Sequence, residues 1–182
     1  ELATGKYCNF LDDDDLLYPN HVLLLADCLT SSNTRIAYSL AEEFQYREKD
    51  GRVMRHYVCY NRTPNRLLLT KYNYLPIPCV MFERRLYNEL GGFDEKLECL
   101  EDWDLWIKMA RHYDFACVKE PLVNVHISSF GRKSNDTEAN IKATEYICTV
   151  RNRDYIMQNK ECHIKVLESL IFLYKRNKKY FQ

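Results

Sequence analysis

Several absences narrow the function before any motif is read. The 26 Lys and Arg residues cancel the 26 Asp and Glu residues, so no global basic field exists and a duplex nucleic-acid binder is disfavoured. Eight cysteines (Cys8, Cys28, Cys59, Cys79, Cys99, Cys117, Cys148 and Cys162) are scattered without a single C-x-x-C pair. That excludes a zinc-ligand spacing and a dense disulfide scaffold. Reduced thiols in the cytoplasm are expected instead, several buried as small apolar residues. No apolar run approaches the roughly 20 residues needed to span a bilayer. No internal repeat or low-complexity segment is present. Glu1 is neither a methionine nor the head of a signal-type apolar segment. Tryptophan is scarce: two residues against 14 tyrosines, which can stack on bases or sugars but mostly serve as amphipathic packing residues. What is there, 182 residues at 46% hydrophobic and 29% charged, suits one soluble domain with a sizeable core.

Periodicity and punctuation give the elements. Lys6 to Leu11 is a short apolar-leaning run ending in aspartates, a buried strand with charges at its C-terminal end. Pro19 to Leu29 has helical spacing with proline at its first turn. A strand, a loop and a helix in this order form the unit of an α/β sheet, whose ligands sit beyond the carboxyl ends of strands. Arg35–Arg47 and Arg52–Tyr60 read as a hairpin around Asp50-Gly51. Pro64–Lys71 reads as a short helix, Tyr74–Pro78 as extended or turning, Cys79–Phe82 as a strand, and Arg84–Leu90 as a helix stopped by Gly91-Gly92. Glu101–His112 is amphipathic, with Trp103, Trp106, Ile107 and Ala110 on one face. Phe115–Val118 and Leu122–His126 read as two short strands flanking Pro121. Asn124 to Ser134 reads as a polar loop, and Thr137–Tyr155 and Glu161–Lys175 as two closing helices.

Two acidic sites stand out. Asp12 to Asp15 are four carboxylates that repel one another unless solvent or a cation offsets them. Mg²⁺ or Mn²⁺ suits hard oxygens and takes only one or two carboxylates besides water and phosphate. On an extended backbone, Asp12 and Asp14 share one side, which favours Asp12-x-Asp14 as the working pair. A solvated acidic turn that caps the next helix is an equal alternative. An EF-hand loop is disfavoured, because Leu16-Leu17-Tyr18 follows where glycine is needed. The second site, Glu101-Asp102, opens the amphipathic helix. A carboxylate there is competent as a general base, or is simply a helix-terminal charge. At helical spacing, Trp103 and Trp106 read as core first and as a sugar-lining pair second.

These residues resemble a known family. GKYCNFLDDDDLLYP resembles the G-x-Y-x-x-F-L-D-x-D-D-x-x-x-P segment of family 2 glycosyltransferases of GT-A fold. VMFERRLYNELGGFDE resembles their next block, and LEDWDLWIKMARHY their E-D-W-D-L-W helix. Three blocks in the right order are more specific than any one. The resemblance implies an α/β fold, a GT-A-like mixed sheet with flanking helices lacking the N-terminal nucleotide-binding strands, plus C-terminal helices. Residues 1–135 would be the metal and acceptor half of the transferase domain, and 136–182 a helical extension. It implies a metal-dependent, inverting, hexosyltransferase-like enzyme of polysaccharide biosynthesis. Its donor would be a nucleotide-diphosphate sugar and its acceptor a glycan or a lipid-linked hydroxyl. Carried over, Asp14 and Asp12 would meet Mn²⁺ or Mg²⁺. Asp12, Asp15, His126 and Arg132 would contact the donor. Asp102 would be the catalytic base, and Glu101 and Trp103 would face the acceptor.

The departure from the family is the absence of the roughly ninety residues expected before the Asp-x-Asp strand, as a smaller domain would imply. An isolated chain that binds nucleotide sugar weakly and does not turn it over is therefore expected. A non-catalytic glycan- or protein-binding module with the same fold is the alternative, disfavoured because both acidic sites survive. A metal-dependent phosphohydrolase lacks a visible nucleophile motif. The basic, apolar stretch Lys160–Lys179 reads either as a closing helix with a solvated end or as a peripheral contact with an anionic inner-membrane surface.

Overall fold

The computed structural model describes residues 2–47, 49–59, 66–127 and 137–176. Arg132 and Lys133 lie outside them, as do the last basic residues of the chain. The mixed α/β architecture expected from the sequence is the one found. The chain forms two compact units that interleave along the sequence. One comprises residues 1–64, 74–89 and 113–130, the other 65–73, 90–112 and 131–182.

Among the described residues, the first unit is a six-stranded mixed sheet with two α-helices and a short 3-10 turn at Ile77–Cys79. Its strands are β1 (Tyr7–Asn9), β2 (Leu16–Leu17), β3 (Ile36–Tyr46), β4 (Val53–Cys59), β5 (Val80–Glu83) and β6 (Phe115–Ile127). The spatial order is β1-β5-β3-β6-β2, with β4 also pairing β3. β3 and β6 are parallel, and every other pair is antiparallel. β3 is the axis. Residues 36–41 are buried at every position, as in a strand covered on both faces. From Glu42 onward it is only half-buried, where β4 joins it. The β3–β4 hairpin turns at Asp50-Gly51, with Gly51 at φ +66 and its N–H donating 2.8 Å to the Arg47 carbonyl. Helix α1 (His21–Ser31) sets Leu25 and Leu29 on Ala37 and Met81. Helix α3 (Arg84–Glu89) stops where expected: Gly91 and Gly92 stand at φ +78 and +59, backbone that glycine adopts without penalty.

Two strand expectations need correction. Phe115–Val118 and Leu122–His126 are one strand, β6, rather than two. The register with β3 jumps from Val118 to Pro121 between Ser39 and Leu40, so Lys119 and Glu120 bulge out. Proline lacks the ladder N–H, and a bulge is where a strand tolerates it. β2 has no counterpart in the sequence reading: two residues carry too little periodicity to announce a strand.

The second unit is helical: α2 (Arg66–Leu69), α4 (Glu101–His112), α5 (Thr137–Tyr146), α6 (Arg153–Gln158) and α7 (Lys160–Arg176). Trp103 and Ile107 of α4 pack on Ile147, Cys148, Ile156, Cys162 and Val166. The single helix expected over Thr137–Tyr155 is broken by a wide π-type turn at Ile147–Arg151. The buried side chain of Asn152 is the reason. It donates 3.0 Å to Oδ1 of Asp104 and 3.2 Å to the Ile147 carbonyl, while its backbone N–H also reaches that carbonyl at 2.9 Å. The extra residue in the turn lets Arg151 and Asn152 both approach Asp104. No disulfide forms among the described cysteines. Among the described residues no helix is long and apolar enough to cross a membrane.

Candidate active site

The aspartate run does not continue as a strand. Asp12 to Asp15 form a tight turn in which the Asp15 N–H donates 3.3 Å to the Asp12 carbonyl. The strict side-to-side alternation expected of an extended run is therefore not met. The turn separates the four residues in another way: Asp12, Asp13 and Asp14 are exposed, and Asp15 is buried at 6% exposure.

The turn is anchored at both ends. Before it, Asn9 at the end of β1 donates through Nδ2 to the carbonyls of Pro78 (2.9 Å) and Val80 (2.8 Å). Its Oδ1 faces Nε2 of the buried His21 at 3.2 Å, and the other ring nitrogen faces the Leu122 carbonyl at 3.2 Å. Burial lowers the His21 pKa, a tendency that the Leu122 carbonyl opposes. After it, Leu16 and Leu17 pair with Asn124 and Val123 of β6, and the Tyr18 N–H reaches the Leu122 carbonyl at 3.0 Å. The buried Asp15 carboxylate closes the frame, accepting the His126 backbone N–H at 2.9 Å. Asp15 and His126 are thus brought together, with the His126 ring edge-on to Tyr46 at 5.0 Å. Tyr18 donates its hydroxyl to Glu42 of β3, and burial together with that carboxylate pushes its pKa up to about 12.

Fit to a divalent cation follows from donor chemistry. Among the described residues no group of three or more His, Cys, Asp or Glu side chains is gathered to hold a metal alone. Mg²⁺ and Mn²⁺ do not require one: one or two carboxylates with phosphate and water oxygens complete their shell. Asp12 and Asp14, exposed on the turn, are hard-oxygen donors of the kind such a shell takes.

In the second unit, α4 begins after Leu100, which stands at φ +62. A left-handed non-glycine residue is strained by roughly 1–2 kcal/mol, and the turn it makes sets Glu101 and Asp102 at the head of the helix. Asp102 Oδ1 accepts the Trp103 N–H at 2.7 Å, and Oδ2 accepts the side-chain N–H of Asn73 at 2.7 Å. Burial pushes the Asp102 carboxyl up to about 6, with Glu101 adding to the rise and the Asn73 and Trp103 hydrogen bonds opposing it. A carboxylate tuned there accepts protons near neutrality.

Trp103, expected to face the acceptor, sits in the packing of the helical unit. It is 2% exposed, belongs to the helical core, and donates its indole N–H 2.6 Å to the Leu69 carbonyl. The helical spacing that made it a packing candidate decides its place. Asn73, Asn9 and His21 escaped the sequence reading. Single polar residues in or beside loops carry no periodic signal, although the proximity of Asn9 and His21 to the aspartates was visible.

No family model matches the chain. Curated relatives do. An uncharacterized glycosyltransferase of Rickettsia bellii (strain RML369-C) is 30% identical over 122 residues, covering 59% of this chain and 16% of the relative. The uncharacterized glycosyltransferase YwdF of Bacillus subtilis (strain 168) is 28% identical over 114 residues, covering 61% of this chain and 41% of the relative. An uncharacterized glycosyltransferase of Rickettsia felis is 22% identical over 187 residues, covering 93% of this chain and 29% of the relative. The chain thus spans less than half the length of the curated relatives it matches. Among solved structures, residues 1–349 of S. aureus TarS in complex with UDP-GlcNAc superpose with a TM-score of 0.63 at 16% identity. The match covers 94% of this chain and 49% of that 1–349 chain. The UDP complex gives 0.60 at 17% identity. The chain shares that fold.

Proposed function

We propose that this chain carries the diphosphate-side and proton-accepting groups of an inverting glycosyltransferase that uses a nucleotide-diphosphate sugar. The observation that carries the proposal is Asp102, a half-buried helix-head carboxylate held by two N–H donors and pushed up to about 6. The names of the curated relatives and the UDP-GlcNAc complex of TarS supply the substrate class.

In this mechanism Asp102 accepts the proton of the acceptor hydroxyl as that oxygen attacks the anomeric carbon. The new C–O bond forms as the bond to the diphosphate breaks, and the electron pair leaves with the nucleoside diphosphate. A single in-line displacement inverts the configuration, through a transition state with oxocarbenium character. Asp14 and Asp12 would hold Mn²⁺ or Mg²⁺, which when bound offsets the charge gathering on the diphosphate. Asp15 fixes the turn through the His126 backbone, so that the exposed carboxylates meet the donor already oriented. Glu101 orients the acceptor and raises the basicity of Asp102. The acceptor is a glycan or lipid-linked hydroxyl.

The test uses this chain extended at its N-terminus to the length of its curated relatives: a panel of nucleotide sugars, UDP-GlcNAc included, is titrated calorimetrically with and without Mn²⁺ and assayed for nucleoside diphosphate release. Asp14→Ala is expected to weaken Mn²⁺-dependent donor binding at least tenfold. Asp102→Asn should spare donor binding and cut turnover by about 10²–10⁴-fold, the range for loss of a general base. Full activity in either variant overturns the assignment of that residue, and failure of every donor overturns the function.

A further inference from the structure

We propose that Asn73 is a positioning residue for Asp102, holding the carboxylate by one oxygen so that it receives the acceptor proton in a fixed orientation. This rests on Asp102 being the proton acceptor. Asn73 lies just beyond α2 and is half-buried. Its Nδ2 reaches Oδ2 at 2.7 Å, while the Trp103 N–H holds Oδ1 at the same distance. Two donors from different segments, one on each oxygen, fix the plane of the carboxylate. Each oxygen retains acceptor capacity for a proton.

The chemistry of the partner matters as much as its position. An arginine or lysine in this place would drive the carboxyl well below its ordinary range and make it a poor base. A neutral amide stabilises the ionised form moderately and exchanges no proton with it. Asn73 therefore keeps Asp102 ionisable in a half-buried setting without removing its basicity. The opposing influences are burial and Glu101, both of which raise the carboxyl. The neighbouring segment also carries Arg66, and Lys71, which pairs with Glu168 at 3.2 Å. The amide is thus the side-chain group that most favours the ionised form.

The deciding measurement is a ¹³C carboxyl titration of Asp102 in the whole chain, followed by NMR. Loss of a hydrogen bond to a charged group corresponds to a midpoint shift of about one to two pH units. Asn73→Ala is expected to move the Asp102 midpoint up by that amount. Asn73→Asp keeps the shape, removes the donor and adds like charge, and should move it further. Should the alanine variant not fold, the aspartate variant alone decides. A midpoint within about 0.3 pH units of the parent in a folded variant overturns the proposal. The nucleotide-sugar panel reads the base assignment separately. A midpoint that shifts while the acid limb of kcat/KM stays fixed would keep the hydrogen bond but remove Asp102, and with it Asn73, from catalysis.

Discussion

Replacing Asp104 with alanine should destabilise the helical unit by about 3 kcal/mol. The side chain is fully buried, with Lys108 Nζ 3.0 Å and Arg151 3.7 Å from Oδ2, and the Asn152 amide 3.0 Å from Oδ1. Removing one member of a buried ion pair costs about 3–5 kcal/mol, because the opposite charge is left without its partner. Three features put the loss at the low end. Lys108 keeps the Gly92 carbonyl at 2.6 Å. Arg151 keeps Asp94 at 2.9 Å. The Asn152 amide keeps the Ile147 carbonyl at 3.2 Å. For a domain of this size the loss corresponds to a Tm lower by about 6–12 °C. Asp104→Asn retains an acceptor for Asn152 and should lose about half as much. Urea denaturation near neutral pH reads both, with an unchanged denaturant slope confirming that the same surface is exposed. Lys165→Ala, which removes a partly exposed pair with Glu161, is the control and should fall within about 0.5 kcal/mol of the parent. An Asp104→Ala loss no larger than that of the control would refute the stabilising role given to this network.

Asp102 has a pKa raised in the folded state, so its contribution to stability is full below the ordinary value near 3.8 and is lost as pH rises through about 6. At about 1.4 kcal/mol per pH unit, Asp102→Asn should be more stable than the parent at pH 8 by up to about 3 kcal/mol. Equal or lower stability there, measured by urea denaturation, would contradict the raised pKa. Trp103→Phe removes the indole donor to the Leu69 carbonyl and part of a buried ring, and should cost about 2–3 kcal/mol. Unchanged stability in that variant, with weakened acceptor binding, would return Trp103 to the site.

Hydrophobic period and turn chemistry determined much of this protein locally. Glu101–His112 is a helix because its apolar residues recur on one face. Asp50-Gly51 turns the β3–β4 hairpin, and Gly91-Gly92 end α3, because only those backbones fit there. The two acidic clusters were legible as candidate sites, since runs of like charge have no place in a core. Contacts across long stretches of chain were not legible. Asp15 became the buried member of its run because a β6 N–H 111 residues away points at it. Pro121 fell within one bulged strand because β3 runs beside it on both sides. The π-type turn exists because Asn152 must reach Asp104. Asn73 gained its meaning only from the 2.7 Å that separates it from Asp102. Sequence pattern records which faces are apolar; which polar group meets which is decided when distant segments pack, since a buried donor or acceptor must find its partner wherever the fold brings one.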